Sequence, residues 1–481
     1  MSIVIDAIEG PSGMAVQWSG IDWSHVRHHV SRLQTRIVKA FKAGLWHRAR
    51  SLQRLLANSF YAKLLAVERI SSNRGKRTPG VDGVVLKTPQ SKWQQAQKLG
   101  AKDYKPQPLR RIYIPKKNGK RRPLGIPTQA DRAEQALELL ALDPVAECLA
   151  DPCSYGFRRG RSVHDAIKRC FGSLARGNMA EWILEGDIQG CFDNISHDWM
   201  VEHVPTHREK LRAWLKAGFM ERGAFHPSEV GTPQGGIISP TAANIALDGL
   251  DSRLRRFSRR KVHLVRYADD FIITGATRAL LIDEVKPLVM QFLEERGLQL
   301  AEEKTRIVHI DDGFDFLGFN LRKYNGTLLI KPATTSIAAV KDKVRTIIKN
   351  GGSLPPGVLI HRLNPVIRGW AFFYRHVVSK EVFSDIDQAI WRMTWHWDRR
   401  RHPKKRLTWI KRRYYARRAG RDWIFTDGTA DLFHMSSLPI RRHILIRGRA
   451  NPYDPAWAAY IQLRSGRLGL PRTDSPLWPI P

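Results

Sequence analysis

Apolar positions give the first outline of this chain. Over residues 24–70 they recur at helical spacing, with Val26, Val30, Leu33, Ile37 and Ala40 on one face. The turn cluster Thr78-Pro79-Gly80-Val81-Asp82-Gly83 ends that region. Residues 109–127 read as a strand, a Lys116-Lys117-Asn118-Gly119 turn and a return strand, and residues 130–149 as a helix. From 181 to 320 short apolar runs alternate with helical stretches. Trp182-Ile183-Leu184 leads into Asp187, and Ile307-Val308-His309-Ile310 leads into a strand over 314–321. Such a mixture predicts an α/β or α+β layer. Lys331-Pro332 opens a mostly helical stretch to about 420, and the tail beyond it holds many Pro, Arg and Trp with little periodicity.

Chemistry enters at Tyr267-Ala268-Asp269-Asp270. The flanking runs, His263-Leu264-Val265-Arg266 and Phe271-Ile272-Ile273, read as strands, which puts the two acids at the tip of a tight hairpin. An ordinary acidic turn is the plain alternative, since Asp is common in turns. Adjacent carboxylates repel unless a cation neutralises them, and hard oxygen ligands at that density suit Mg²⁺. One hairpin cannot hold two ions. Asp187, at the end of a separate strand, is the candidate third carboxylate. Two Mg²⁺ about 3.5–4 Å apart would clamp an attacking 3′-oxygen and a leaving pyrophosphate.

Charge narrows the partner. Lys and Arg number 80 against 45 Asp and Glu, a net of +35 with pI near 10.5. That excess favours a polyanion, with a nucleic-acid backbone the leading candidate. A membrane partner is disfavoured, because no long apolar stretch or basic amphipathic anchor is present. Cys148, Cys153, Cys170 and Cys191 form no C-x-x-C pair or zinc spacing and read as core fillers of a reducing compartment. Without a signal peptide over 1–20, the expected location is cytoplasmic.

A resemblance joins these features. Residues 109–120 with Arg122-Pro123-Leu124-Gly125-Ile126-Pro127 resemble the fingers hairpin of group II intron-encoded reverse transcriptases. Ser154-Tyr155-Gly156-Phe157-Arg158-Arg159-Gly160-Arg161-Ser162 resembles the next finger motif. Residues 187–194 resemble polymerase motif A, and Gly231-Thr232-Pro233-Gln234-Gly235-Gly236 with Ser239-Pro240 motif B. Residues 267–270 resemble motif C, Glu303-Lys304-Thr305 lies in motif D, and Phe316-Leu317-Gly318-Phe319 resembles motif E. A single match is weak, but the ordered series from about 20 to 420 is specific.

The resemblance implies an α/β right-hand polymerase with fingers, palm, helical thumb and a small basic C-terminal domain. The expected divisions are a tail at 1–20, N-terminal extension and fingers at 21–180, palm at 181–330, thumb (maturase domain X) at 331–420, and a basic, DNA-binding segment at 421–481. It implies that Asp187, Asp269 and Asp270 bind two Mg²⁺, with Mn²⁺ able to substitute and Ile188 beside them as a further ligand. Asp193 is the decoy, read as a turn or cap carboxylate. Phe192 is the implied steric gate against a 2′-hydroxyl, with core packing as its alternative. Lys116, Arg122 and Arg110 are expected at the triphosphate; general binding of the template backbone is their alternative. Gln234 and Gly235 are expected near the nucleotide or primer end. Lys304 is a candidate general acid toward pyrophosphate, or else a solvated strand-edge lysine.

Residues 362–374 resemble the thumb of intron maturases. Residues 391–413 carry ten Lys/Arg in 23, interleaved with Trp391, Trp395, Trp397 and Trp409. Basic groups among aromatics suit a nucleic-acid groove. The contact candidates are Arg158, Arg161, Arg368, Arg392, Arg399, Arg400, Lys404, Lys405 and Arg412, and at least half the tryptophans are expected in helix core. Asn451-Pro452-Tyr453-Asp454-Pro455-Ala456-Trp457 resembles the stretch before an HNH nuclease in some members. With no cysteine after Cys191, no endonuclease is expected. The implied partners are group II intron RNA, an RNA template with DNA primer, target DNA and dNTPs. Two other readings stay open: a domesticated enzyme of host defence or DNA repair, and an RNA-binding splicing maturase with no polymerase role.

Overall fold

The computed structural model describes residues 17–115, 119, 121–418 and 420–468. The chain forms two compact units. The first comprises residues up to 166, 184–307 and from 446 onward; the second comprises 167–183 and 308–445. In chain order the strands are β1 (Leu109–Pro115), β2 (Arg121–Ile126), β3 (Trp182–Gly186), β4 (Phe219–Glu221), β5 (Ala224–His226), β6 (Leu264–Tyr267), β7 (Asp270–Gly275), β8 (Arg306–His309), β9 (Phe314–Phe316), β10 (Phe319–Tyr324), β11 (Thr327–Pro332), β12 (Tyr415–Arg418) and β13 (Arg421–Phe425).

The first unit begins with helices Trp23–Lys42, Trp46–Asn58 and Phe60–Ser72. The Asp22 carboxylate caps the first by accepting from the Ser24 and His25 amides at 2.9 and 3.1 Å. The periodicity of 24–70 is therefore cut twice, where Gly44 takes φ 71° and where Ser59 is extended. The face from Val26 to Ala40 is buried as its spacing predicts. Its counterpart is helix Gln129–Leu149, which is buried nearly all round. That helix holds Glu134 and Glu138 inside, where the Lys210 ammonium reaches both at 2.6 and 3.0 Å. An enclosed carboxylate without such a cation would be costly.

Two four-stranded sheets carry the site. One has order β2-β1-β4-β5, so the 109–127 hairpin is extended by a second hairpin that the sequence pattern did not reveal. The other has order β6-β7-β3-β8. Strands β6 and β7 are antiparallel, with Tyr267 paired to Asp270.

In the second unit the strand expected over 314–321 is broken into β9 and β10, because Leu317 takes φ 52° ahead of Gly318. Helices Thr334–Asn350, Pro356–Tyr374, Lys380–Arg401 and Leu407–Tyr414 follow. The helical stretch ends in the β12–β13 hairpin rather than at 420. Residues 421–468 do not stand as one segment: they divide at 446, and the later part belongs to the first unit. Among the described residues no helix is long and apolar enough to cross a membrane. All four cysteines are free, with Cys153, Cys170 and Cys191 buried.

Candidate active site

The β6–β7 hairpin turns through only Ala268 and Asp269. Ala268 takes φ 56°, in the left-handed region that glycine usually occupies. Gly156 packs behind this turn: a Cβ there would meet the Ala268 nitrogen at 2.4 Å. The finger motif around Gly156 is tied to β6 by a bridge, with the Tyr155 amide donating to the Arg266 carbonyl and the Arg266 amide to the Cys153 carbonyl. Sequence reading matched both motifs but did not foresee their contact.

Asp187 follows β3. Its carboxylate is paired with the Lys304 ammonium. Its carbonyl accepts from the Ala301 amide at 2.8 Å, and the Gln189 amide donates to the Gln299 carbonyl at 2.9 Å. These bonds bracket the Ile188–Leu300 bridge, so the amide and carbonyl of Ile188 itself turn to the opposite side. The Ile188 side chain is buried and apolar; only its main chain could serve as a ligand.

Asp269 and Asp270 both sense the Asp187 charge. Burial raises the Asp269 pKa, and the Asp187 charge adds to the rise, while Arg122 and Lys304 oppose it. Asp270 is pushed up to about 6, first by desolvation and then by Asp269 and Asp187. Of the pair, Asp270 is the more exposed residue. Beneath them the buried Cys191 thiol is pushed up to about 12 by burial and by Asp269, Asp187 and Asp193. Negative charge is thus concentrated here, and Lys304 partly offsets it. The trio does not, however, point at one centre: among the described residues no group of three or more His, Cys, Asp or Glu is placed to hold a metal. Asp187 is turned onto Lys304 instead. As a donor set, oxygen-only acids whose charges crowd on Asp269 and Asp270 fit Mg²⁺.

Around this centre the other expected residues are placed unevenly. Arg110 and Arg122 share one face of the β1–β2 hairpin, two residues either side of Ile112 and Leu124 in register. Arg122 is exposed and close enough to influence Asp269. Lys116 lies outside the described residues. The half-buried Phe192 ring meets Phe157 edge-on, 6.1 Å between centroids. Gln234 donates to the Asp193 carboxylate at 3.0 Å. Gly235, at φ 131°, comes against protein rather than open space: a Cβ would meet the Gly125 carbonyl oxygen at 2.5 Å. Lys304 is exposed, and its hydrogen bond to Asp187 raises its pKa.

Two nucleic-acid candidates are corrected. Arg158 and Arg161 are buried. Arg158 forms a bidentate pair with Glu147 at 2.8–2.9 Å and donates to the Asp151 and Ser154 carbonyls. Arg161 donates to the Pro152 and Gly448 carbonyls at 3.3 and 2.7 Å. Their guanidiniums are enclosed inside the unit and offer nothing to a backbone outside. Arg368, Arg392, Arg399, Arg400, Lys404, Lys405 and Arg412 in the second unit are all exposed. Of the four tryptophans there, Trp397 is buried, with its indole N–H on the Gly351 carbonyl at 2.9 Å. Trp391 and Trp395 are half-buried and stack on each other, 6.2 Å between centroids, and Trp409 is exposed.

Similarity to known proteins accords with this arrangement. Residues 114–321 match the reverse transcriptase (RNA-dependent DNA polymerase) family, 18–99 the N-terminal domain of reverse transcriptase, and 337–415 the group II intron maturase-specific domain. The chain is 34% identical over 316 residues to protein YkfC of Escherichia coli, covering 56% of this chain and 83% of YkfC. It is 32% identical over 367 residues to the group II intron-encoded protein LtrA of Lactococcus lactis, covering 59% of this chain and 60% of LtrA. A 91 kDa protein in the cob intron of Schizosaccharomyces pombe is 27% identical over 410 residues, 67% of this chain and 50% of that protein. The reverse transcriptase match over mixed helices and strands defines a right-hand polymerase. The chain belongs to the group II intron reverse transcriptase and maturase family.

Proposed function

We propose that this chain is an RNA-directed DNA polymerase that extends a primer 3′-hydroxyl with dNTPs, using two Mg²⁺ or Mn²⁺. The observation that carries the reading is the shared negative field of Asp187, Asp269 and Asp270, drawn from two separate strand ends. Bound there, divalent ions would lower the pKa of the attacking hydroxyl and stabilise the departing pyrophosphate. The chain's own residues supply the rest. Arg122, beside Asp269, grips the triphosphate. Phe192 packs beneath the sugar and disfavours a 2′-hydroxyl. Lys304 stays an ammonium at neutral pH and can pass a proton to pyrophosphate. Asp193 is not a ligand; it holds Gln234.

The same chain is proposed to bind the intron RNA that encodes it and to assist its splicing. The exposed cations of 368–412 and the match to a maturase-specific domain favour this. Target DNA would be a further partner. Replacing Asp269 by Asn tests the polymerase reading: primer extension should fall by about 10³-fold or more, while RNA binding in a filter assay stays within about twofold. Full extension by that variant would remove the reading. Loss of extension with splicing retained would separate polymerase from maturase.

A further inference from the structure

One buried group near the site is used by none of these steps. Arg266 is 1% exposed, the largest fully buried side chain among the described residues, and lies in β6 directly after Leu264 and Val265. A guanidinium cannot shed its charge, so its enclosure is costly unless its donors are met. An apolar side chain would fill the space more favourably. The partners show what the charge is for. Nη2 donates to the Asp248 carboxylate at 2.6 Å. Nη1 donates to the Asn244 side-chain oxygen at 3.0 Å and to the Ala268 carbonyl at 3.3 Å. Asn244 donates in turn to the Gly156 carbonyl at 2.8 Å, and Gly156 is the residue pressed against the Ala268 nitrogen.

Both faces of the turn are therefore gripped by one network. The Ala268 carbonyl belongs to the peptide group that also contains the Asp269 amide, so fixing its direction fixes how Asp269 leaves the turn. Alanine at φ 56° is strained, and such strain persists only where surroundings over-determine it.

We propose that Arg266 is a positioning residue for the reaction: from inside the core it holds the Ala268 carbonyl and so selects the left-handed turn that aims Asp269. Asn244 and Asp248 orient the guanidinium. The inference rests on the polymerase reading and adds to it a device behind the turn.

A double-mutant cycle on the full chain tests it. Arg266→Gln should lower kcat for primer extension by about tenfold or more, with KM for dNTP within about threefold, because the acid is misaimed while the nucleotide pocket stays. Glycine adopts φ 56° without strain. Ala268→Gly in the Arg266→Gln background should therefore restore kcat by about fivefold beyond its effect on the wild type. A core-filling role predicts no such coupling, since glycine only adds chain entropy. Thermal melts establish that each variant is folded at the assay temperature. Should Arg266→Gln not fold, Asn244→Ala, which leaves the Asp248 pair intact, should give the same kcat-selective loss and the same rescue in weaker form. Additive effects, or a loss carried by KM, would overturn the proposal. An inactive wild type would overturn the polymerase reading and this inference together; an active wild type with uncoupled substitutions would overturn the inference alone.

Discussion

Single residues set the pH behaviour of the site. Asp270, held at about 6, is protonated below that value, and a proton there competes with a divalent ion. Its pKa is raised, so in the proposed metal-binding role its ligand capacity is lost as pH falls and gained as pH rises. Primer extension at low Mg²⁺ should climb between about pH 5 and 7, and excess Mg²⁺ should shift the climb to lower pH. In Asp270→Asn that limb should vanish from the pH profile whatever activity remains. The place of the paired acids at a hairpin tip was legible in sequence, from the β-rich runs that flank them. What tunes them was not. Arg266 looked like one polar position in a strand, and Gly156 like one glycine of a basic loop; only their meeting at Ala268 gives either a role. The partner of Asp187 was equally hidden, since Lys304 stands 117 residues away.

Secondary-structure elements were read well where period alone decides them. The 109–127 and 263–273 hairpins and the 130–149 helix all follow from their spacing. The misses lie where a single backbone conformation interrupts the period, as at Leu317, or where strands are three residues long, as in β4 and β5. The segment 446–468, expected to lie in one basic C-terminal segment with 421–445, is instead part of the first unit. It is anchored by Asp165, which is fully buried and accepts from the Ile446 amide at 2.9 Å and from Arg464 at 2.6 Å. Arg161 meets the same segment at Gly448. Arg161 of the finger motif thus turns inward to hold this segment. Breaking a buried pair leaves an uncompensated charge and costs about 3–5 kcal/mol. Arg464→Ala should lower the unfolding midpoint of the full chain by several degrees in a thermal melt. Replacing exposed Arg467 by Ala should leave the midpoint unchanged.

At the scale of the whole molecule, the charge of +35 is the dominant property. Each phosphate contact releases a counterion, so binding to RNA should weaken steeply with salt, by a slope of about 0.7–0.9 per contact in log K against log salt. Replacing Arg399 and Arg400 together by Ala should reduce the slope by about 1.5 if both touch phosphate. An unchanged slope would place the contacts elsewhere on the basic surface. Composition alone foretold a polyanion; it could not assign the cations. Arg158 and Arg161 contribute to the total and are closed off from any partner.

The Thr35 hydroxyl donates to the Tyr453 carbonyl at 3.3 Å, and Lys42 pairs with Asp454, so an opening helix is braced by a stretch from far down the chain. Synthesis runs in one direction. The residues that supply this brace are therefore made only after the stretch that matches the maturase-specific domain. A frameshift or early stop anywhere in between would leave the opening helix without these two contacts.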